Sequence, residues 1–321
     1  MTADVHQHLW PPGLIAQLRA RRTPPRIRGW TLELHGEPDH VVEPALHDPQ
    51  LRAAEARADG LDLAIVSLSS PLGIEFLAAN EGAELLGAFH DGALSLPAPF
   101  RAWASASLTN IDPAGLARQL ERGFVGLQLP AIALLDDRGY DRVAPLLEVL
   151  EERTRPLFVH PGPTSMTRLD TRSAPGWWPA VVDYVQQMHA AWYAFRALGR
   201  PRYPRLRICF AMLAGLAPLH AERFLARTGE RTALDERIFL DVSSYGPRAI
   251  DAIVRVLGID VLVNGSDRPY AQPVDPGLGD AARFAVCSAN PFRLLDLKEV
   301  SDDPVIAAGA QSRLQRARGA R

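Results

Sequence analysis

Val5-His6-Gln7-His8-Leu9, near the start of the chain, and Val261-Leu262-Val263-Asn264-Gly265-Ser266-Asp267, near its end, each carry an apolar, strand-like run into metal-ligating side chains. Residues two apart on a strand share a face, so His6 and His8 can converge on one ion as adjacent residues could not. Runs of the same kind recur at 63–68, 101–106, 123–129, 157–160, 206–211 and 238–243, which with 5–9 and 261–265 makes eight candidate strands. Between them, stretches such as 48–58, 113–122, 143–153, 216–227 and 247–257 have the period of helices that cover a parallel sheet. Eight strands alternating with helices imply an α/β fold, a closed TIM-type (β/α)8 barrel. Residues 1–300 are expected to form this single barrel and 301–321 a C-terminal tail.

Two connections are too long for simple turns. The one after the first strand, over 11–42, carries Pro11, Pro12, Pro24 and Pro25 and a β-like run at 28–34, and is expected to form a helix and a small hairpin beside the barrel mouth. The one after the fifth strand, over 161–204, contains Gly176-Trp177-Trp178-Pro179 and then a helix near 180–198. Long ordered loops at barrel mouths usually shape a site.

Composition narrows the function. A chain of 321 residues with 47% hydrophobic content can bury one large core. A formal charge of -2 lacks the positive field that nucleic acid demands, so a small-molecule ligand is expected instead. Two cysteines, Cys209 and Cys287, cannot make a disulfide framework, and Cys209 reads as a buried free thiol. No apolar run approaches the ~20 residues of a membrane span, and a cytoplasmic protein with no membrane partner is the expectation. The basic run at 312–318 reads as a solvated end.

In such barrels catalytic side chains come from the C-terminal ends of strands. His6 and His8 end the first candidate strand, His160 ends the fifth in Leu157-Phe158-Val159-His160, and Asp267 follows the eighth. Three imidazoles and one carboxylate meeting at one mouth suit zinc (Zn2+) or another borderline divalent ion, with a position left for water. Such an ion would supply hydroxide near neutral pH, and Asp267 could accept its proton while also holding the metal.

With these residues in place the chain resembles the amidohydrolase superfamily, and within it the single-metal branch that includes aminocarboxymuconate semialdehyde decarboxylase. The resemblance runs from the VHQH opening through Gly123-Phe124-Val125-Gly126-Leu127-Gln128 and Phe158-Val159-His160-Pro161 to Asn264-Gly265-Ser266-Asp267 and Asn290-Pro291-Phe292-Arg293. It implies that His6, His8, His160 and Asp267 bind the metal, that the ion is zinc or manganese, and that the protein forms a homodimer. One departure stands out. Where relatives follow the sixth strand with a His-Gly-Gly type segment, this chain has Met212-Leu213-Ala214-Gly215. A thioether cannot carry a proton at neutral pH, whereas a positioned acid or base is worth roughly 10²–10⁴-fold in rate. His220 and His189 are poor substitutes, because one lies about 12 Å further on if the segment is helical and the other reaches the mouth only if its helix folds over it.

Other polar residues carry weaker signals. Gln128, at the end of the fourth strand, is a candidate for a hydrogen bond to substrate, and Trp177 for the wall of a substrate pocket, although packing of its loop on the barrel is the simpler account of the tryptophan. Met212 is expected to face substrate in the place of the missing histidine. Arg28, Arg101 and Arg168 are candidates for binding a substrate carboxylate. His35, His40 and His47 read as surface histidines, His90 has no tie to the metal set, and Arg268 reads as a salt bridge in the barrel wall. Ser243 and Ser244 end the seventh strand without a base beside them. Three functions are consistent with these features: a metal-dependent hydrolase of a small amide, lactone or ester; a non-oxidative decarboxylase of an aromatic or unsaturated acid, weakened by Met212; and a metal-binding barrel that has lost catalysis.

Overall fold

Every strand around the barrel is short, parallel to its neighbours and almost wholly buried, which explains why each reads as an apolar run rather than an alternating one. A computed structural model describes residues 1–164, 174–231, 234–273, 275 and 277–297. Ala3–His8 pairs with Leu63–Ser67, and that strand with Phe100–Ala102. Ala104–Ser105, Leu127–Pro130, Leu157–His160, Ile208–Phe210, Ile238–Asp241 and Leu262–Val263 follow in sequence order, each parallel to the next. The tail expected at 301–321 lies outside the described residues.

The strand expected at 101–106 is broken at Trp103. Its backbone N–H bonds Val66 at 2.9 Å on one side, while Ala104 N–H turns to Gly126 at 2.9 Å on the other, so the third strand position changes partner at this residue. The Trp103 indole donates to Val5 O across the barrel at 2.9 Å and stacks on Phe158 with centroids 5.3 Å apart. Together they floor the barrel interior beneath His6, whose ring meets Phe158 edge-on at 5.0 Å. The last and first strands meet through discrete bonds rather than a regular ladder. Val5 N–H bonds Asn264 O at 2.9 Å, Asp267 N–H bonds His6 O at 2.8 Å and His8 N–H bonds Arg268 O at 2.6 Å. The buried Asp4 carboxylate reinforces this junction by accepting from Ser266 N–H at 3.0 Å and from the Gln7 amide at 2.8 Å. The fold is therefore the TIM-type barrel that the strand pattern implies.

Local chemistry starts the outer helices. Asp48, Asp112 and Asp136 cap Pro49–Ala58, Pro113–Arg122 and Asp137–Glu152 by accepting from backbone N–H groups of the first turn. Proline at the first helical position of the first two and of Pro247–Leu257 loses no hydrogen bond there. The helix expected at 216–227 begins later, as Ala221–Thr228. The reason is the backbone before it: Met212, Leu213, Ala214, Gly215 and Leu216 all have φ between 49° and 61°, so the chain winds left-handed for five residues. The long first connection forms the expected helix, Pro12–Ala20, and a three-stranded antiparallel sheet of Arg26–Arg28, Thr31–Glu33 and His40–Val41, one strand more than the expected hairpin. In the second, the helical stretch from Pro179 to Gly199 matches expectation. Among the described residues, no helix is long and apolar enough to cross a membrane.

Two glycine-to-alanine changes should move stability in opposite directions. A methyl at Gly126 would stand 2.2 Å from Pro156 O and 2.7 Å from the Trp103 ring, whereas one at Gly87, inside the helix Ala79–Leu94, meets nothing within 4 Å. Gly126→Ala is expected to lower unfolding stability by about 2 kcal/mol or more, and Gly87→Ala to raise it by roughly 0.5–1 kcal/mol. Urea titrations of the two variants check both signs.

Candidate metal centre

His6, His8, His160 and Asp267 each offer one ligand atom, and the four atoms lie within 4.8 Å of one another at the barrel mouth. The strand period puts His6 and His8 on the inner face, and the same period places Phe158 and His160 one above the other on the fifth strand. The three imidazole rings stand mutually edge-on with centroids 5.0 Å apart. Asp267 brings its Oδ1 to 3.1 Å from His8 Nε2 and 3.3 Å from His6 Nε2 from a left-handed backbone position with φ 60°. Close approach is possible because Gly265 lies beneath: a Cβ there would come within 2.8 Å of Asp241 Cβ and 2.9 Å of His6 Cβ.

The second ring nitrogens fix which atoms face inward. His8 Nδ1 lies 3.1 Å from Ser67 O, His160 Nδ1 lies 2.9 Å from Pro161 O, and His6 Nδ1 lies 2.8 Å from Asp241 Oδ2. Carbonyl and carboxylate oxygens only accept, so each Nδ1 carries a hydrogen, and each ring in its neutral form turns the Nε2 lone pair toward the common point. His6 Nε2 and His8 Nε2 are 3.0 Å apart, two lone pairs that a shared cation would reconcile. The donor set of three imidazole nitrogens and one carboxylate oxygen thus fits a zinc-like or manganese-like ion.

Asp241, which ends the seventh strand, is absent from the sequence-based candidates although the signal was present: it is the one carboxylate closing the apolar run Ile238-Phe239-Leu240. It is fully buried. Its Oδ2 accepts from His6, and its Oδ1 accepts from Met212 N–H at 3.0 Å, Ser243 N–H at 3.0 Å and the Ser243 hydroxyl. One carboxylate therefore sets the tautomer of His6 and anchors the left-handed turn. Burial pulls His6 down, yet the charges of Asp241 and Asp267 outweigh it and hold the imidazole up at about 9, so a metal ion taking His6 as a ligand must displace a proton from its Nε2. Burial and the neighbouring imidazoles push His160 far below the ordinary range, and burial lowers His8. Burial alone would raise Asp267, but His6 and His8 outweigh it and keep its carboxyl below the usual range.

A cavity of about 780 Å³ opens above the cluster, with His8, His160 and Asp267 at its base. Its walls are mainly apolar, with Trp10, Leu34, Val185 and Leu216 among them, and Met212 faces it as expected for that position. Ser69, Tyr270 and Tyr184 add hydroxyls, His40 comes from the small sheet, and Glu37 and Asp39 come from the loop before it. Trp177 is 55% exposed and stands outside this wall, as does Gln128. The Gln128 amide instead donates to Leu68 O at 2.7 Å and Ser70 Oγ at 2.6 Å, leaving its oxygen without a partner among the described residues. Arg28 turns to Glu33 at 2.7 Å, Arg101 lies on the strand Phe100–Ala102 away from the cavity wall, and Arg168 lies outside the described residues. Arg268 pairs with Asp59 at 2.6 Å in the barrel wall, as expected. His189 and His220 pair with each other, centroids 5.1 Å apart, and neither lines the cavity. The left-handed turn removes the helical spacing assumed for His220. His47 is not a surface residue: it is buried, stacks on Trp10 at 4.4 Å, accepts the Trp10 N–H and is pulled down to about 3 by burial.

Two substitutions test these networks. Asp241→Asn keeps the shape but cannot accept from both sides, so zinc affinity should fall about 10–100-fold by competition with a chelator; Ser243→Ala, which leaves His6 its partner, should cost far less. Glu75, fully buried behind Gln128, accepts from Ser70 with one oxygen and has no partner for the other among the described residues, and burial raises it to about 7. A carboxyl raised by folding binds its proton more tightly in the native state, so it destabilises the fold progressively as pH rises from about 4.5 to about 7. Glu75→Gln should remove about 3 kcal/mol of that decline, measured as the difference in urea stability between pH 5 and pH 8.

No protein-family model and no curated protein matches the sequence. Solved structures do match over nearly the whole barrel. IDCase of Metarhizium anisopliae is 20% identical, with a TM-score of 0.75 over 93% of this chain and 98% of its own. The 5-carboxyvanillate decarboxylase of Novosphingobium aromaticivorans, whose structure holds manganese and 4-hydroxy-3-methoxy-5-nitrobenzoic acid, is 19% identical with a TM-score of 0.70 over 92% of this chain and 96% of its own. An amidohydrolase II is 18% identical with a TM-score of 0.68 over 92% of this chain and 100% of its own. The chain thus has the barrel fold of the amidohydrolases and of these decarboxylases.

Proposed function

We propose that the protein is a metal-dependent hydrolase that cleaves a small amide, lactone or ester. The observation that carries this reading is the convergence of three imidazole Nε2 atoms and one carboxylate oxygen within 4.8 Å at the base of a deep, mainly apolar cavity. Held by His6, His8, His160 and Asp267, a zinc or manganese ion would polarise a carbonyl and supply a hydroxide nucleophile. Asp267 is held ionised by its imidazole neighbours and can take up a proton at its carboxylate. Ser69 and Tyr270, whose hydroxyl oxygens lie 3.4 Å apart beside His8, can donate to a substrate oxygen. The apolar walls hold the substrate body and exclude water from the reacting carbonyl.

Decarboxylation is the second reading, favoured by the fold shared with known decarboxylases. It asks for a group that protonates carbon, while the metal, helped by any nearby arginine or lysine, would anchor the substrate acid. Met212 cannot serve as the first, and among the described residues no arginine or lysine lines the cavity.

Metal analysis of the purified wild type beside His6→Ala and Asp267→Ala comes first, with near-stoichiometric zinc or manganese expected in the wild type and a loss in both variants. A panel of anilides, lactones, esters and aromatic acids then separates the chemistries: acid released without gas supports hydrolysis, and carbon dioxide supports the second reading. Wild-type protein that takes up no metal overturns both.

A further inference from the structure

The cavity walls differ in charge. Glu37 and Asp39, from the loop that joins Thr31–Glu33 to His40–Val41, face the same space as His8, His160 and Asp267, with no arginine or lysine among the described lining residues. Glu37 is held rigidly. Both its oxygens accept from the Tyr184 hydroxyl, at 2.8 Å and 2.9 Å, and Thr164 adds hydrogen bonds. Tyr184 lies on the helix Tyr184–Ala194, so the carboxylate is fixed by an element from the opposite long connection. Among the described residues Glu37 makes no ion pair, and burial raises its carboxyl above the ordinary range despite those bonds. A carboxylate that is oriented and half-desolvated but unpaired gains most from a cation delivered by a ligand.

Resting on the hydrolase reading above, we propose that Glu37 determines specificity at the end of the substrate remote from the metal centre, where it selects a protonated amine or amidine carried on an apolar body. An ionised carboxylate accepts at several lone-pair positions. Tyr184 donates one proton and sets the orientation, leaving positions for two or three N–H donors from the cavity side. Asp39 adds a second negative charge to the same wall and disfavours an anionic group there. Between this wall and the metal centre, Tyr270 packs its ring 5.3 Å from His8 and 6.4 Å from His40, a flat surface for an aromatic or planar body. A cavity of about 780 Å³ accommodates a substrate of that size.

The test uses ligands that chelate metal at one end: benzohydroxamate and its para-aminomethyl and para-(2-aminoethyl) derivatives, titrated calorimetrically into the zinc-loaded protein. The wild type should bind at least one amine about 10-fold more tightly than the parent, the gain of one charged hydrogen-bonded contact. In Glu37→Gln that ratio should collapse towards one while the parent still binds, and Tyr184→Phe, which frees the carboxylate, should narrow it. Wild-type protein that binds the amines no better than the parent, or a Glu37→Gln variant that retains the preference, overturns the inference. A zinc-loaded wild type that fails to bind benzohydroxamate itself refutes the metal reading beneath it, a result separable from the other two.

Discussion

The candidate metal centre depends on one constraint: to hold an ion, each of its imidazoles must present Nε2 without a proton. Ser67 O, Pro161 O and Asp241 impose this by claiming the opposite nitrogen of His8, His160 and His6. Two of those acceptors are main-chain carbonyls at strand ends, so the barrel itself sets the tautomer. The third is a side chain, and Asp241 extends the constraint to the sixth and seventh strands through Met212 and Ser243. Cluster geometry and mouth architecture are consequently one network.

The same network explains how Met212 and its successors hold an unfavourable backbone. Left-handed residues that carry a Cβ are disfavoured by roughly 1–2 kcal/mol each, and Met212, Leu213, Ala214 and Leu216 are four of them. Against this stand the Asp241 bond to Met212, burial of Leu213 and Ala214, and a packing position for Gly215 so close to Val185 O that a Cβ would come within 2.4 Å. Strain of this kind persists where surroundings over-determine it, and here it aims a thioether at the cavity.

Much of this was legible in the sequence. The barrel follows from buried apolar runs alternating with amphipathic stretches, and the convergence of His6, His8, His160 and Asp267 from their places at strand ends, because period and topology fix where strand-terminal residues point. What stayed hidden depends on contacts between distant segments. Nothing local marks Trp103 as a break, since the change of partner there is decided by Val66 and Gly126. Met212-Leu213-Ala214-Gly215-Leu216 has good helix formers and is wound left-handed by packing. Gln128 turns away from the mouth because Leu68 O and Ser70 satisfy its amide, and His47 is buried because Trp10 stacks on it. Glu37 reaches the cavity only through a sheet within a long connection, whose course no periodicity foretells.

The junction between the first and last strands has a further meaning. It is stitched by a few backbone bonds and by Asp4, where strands such as Leu157–His160, Ile208–Phe210 and Ile238–Asp241 pair in continuous register. His6 and His8 stand on one side of this seam and Asp267 on the other, some 260 residues later in the chain. A single ion gripping all three would act as a cross-link closing one of the longest loops the polypeptide can form. Its binding energy would appear as resistance of the whole barrel to opening, so that occupancy of this cluster and integrity of the fold become a single equilibrium.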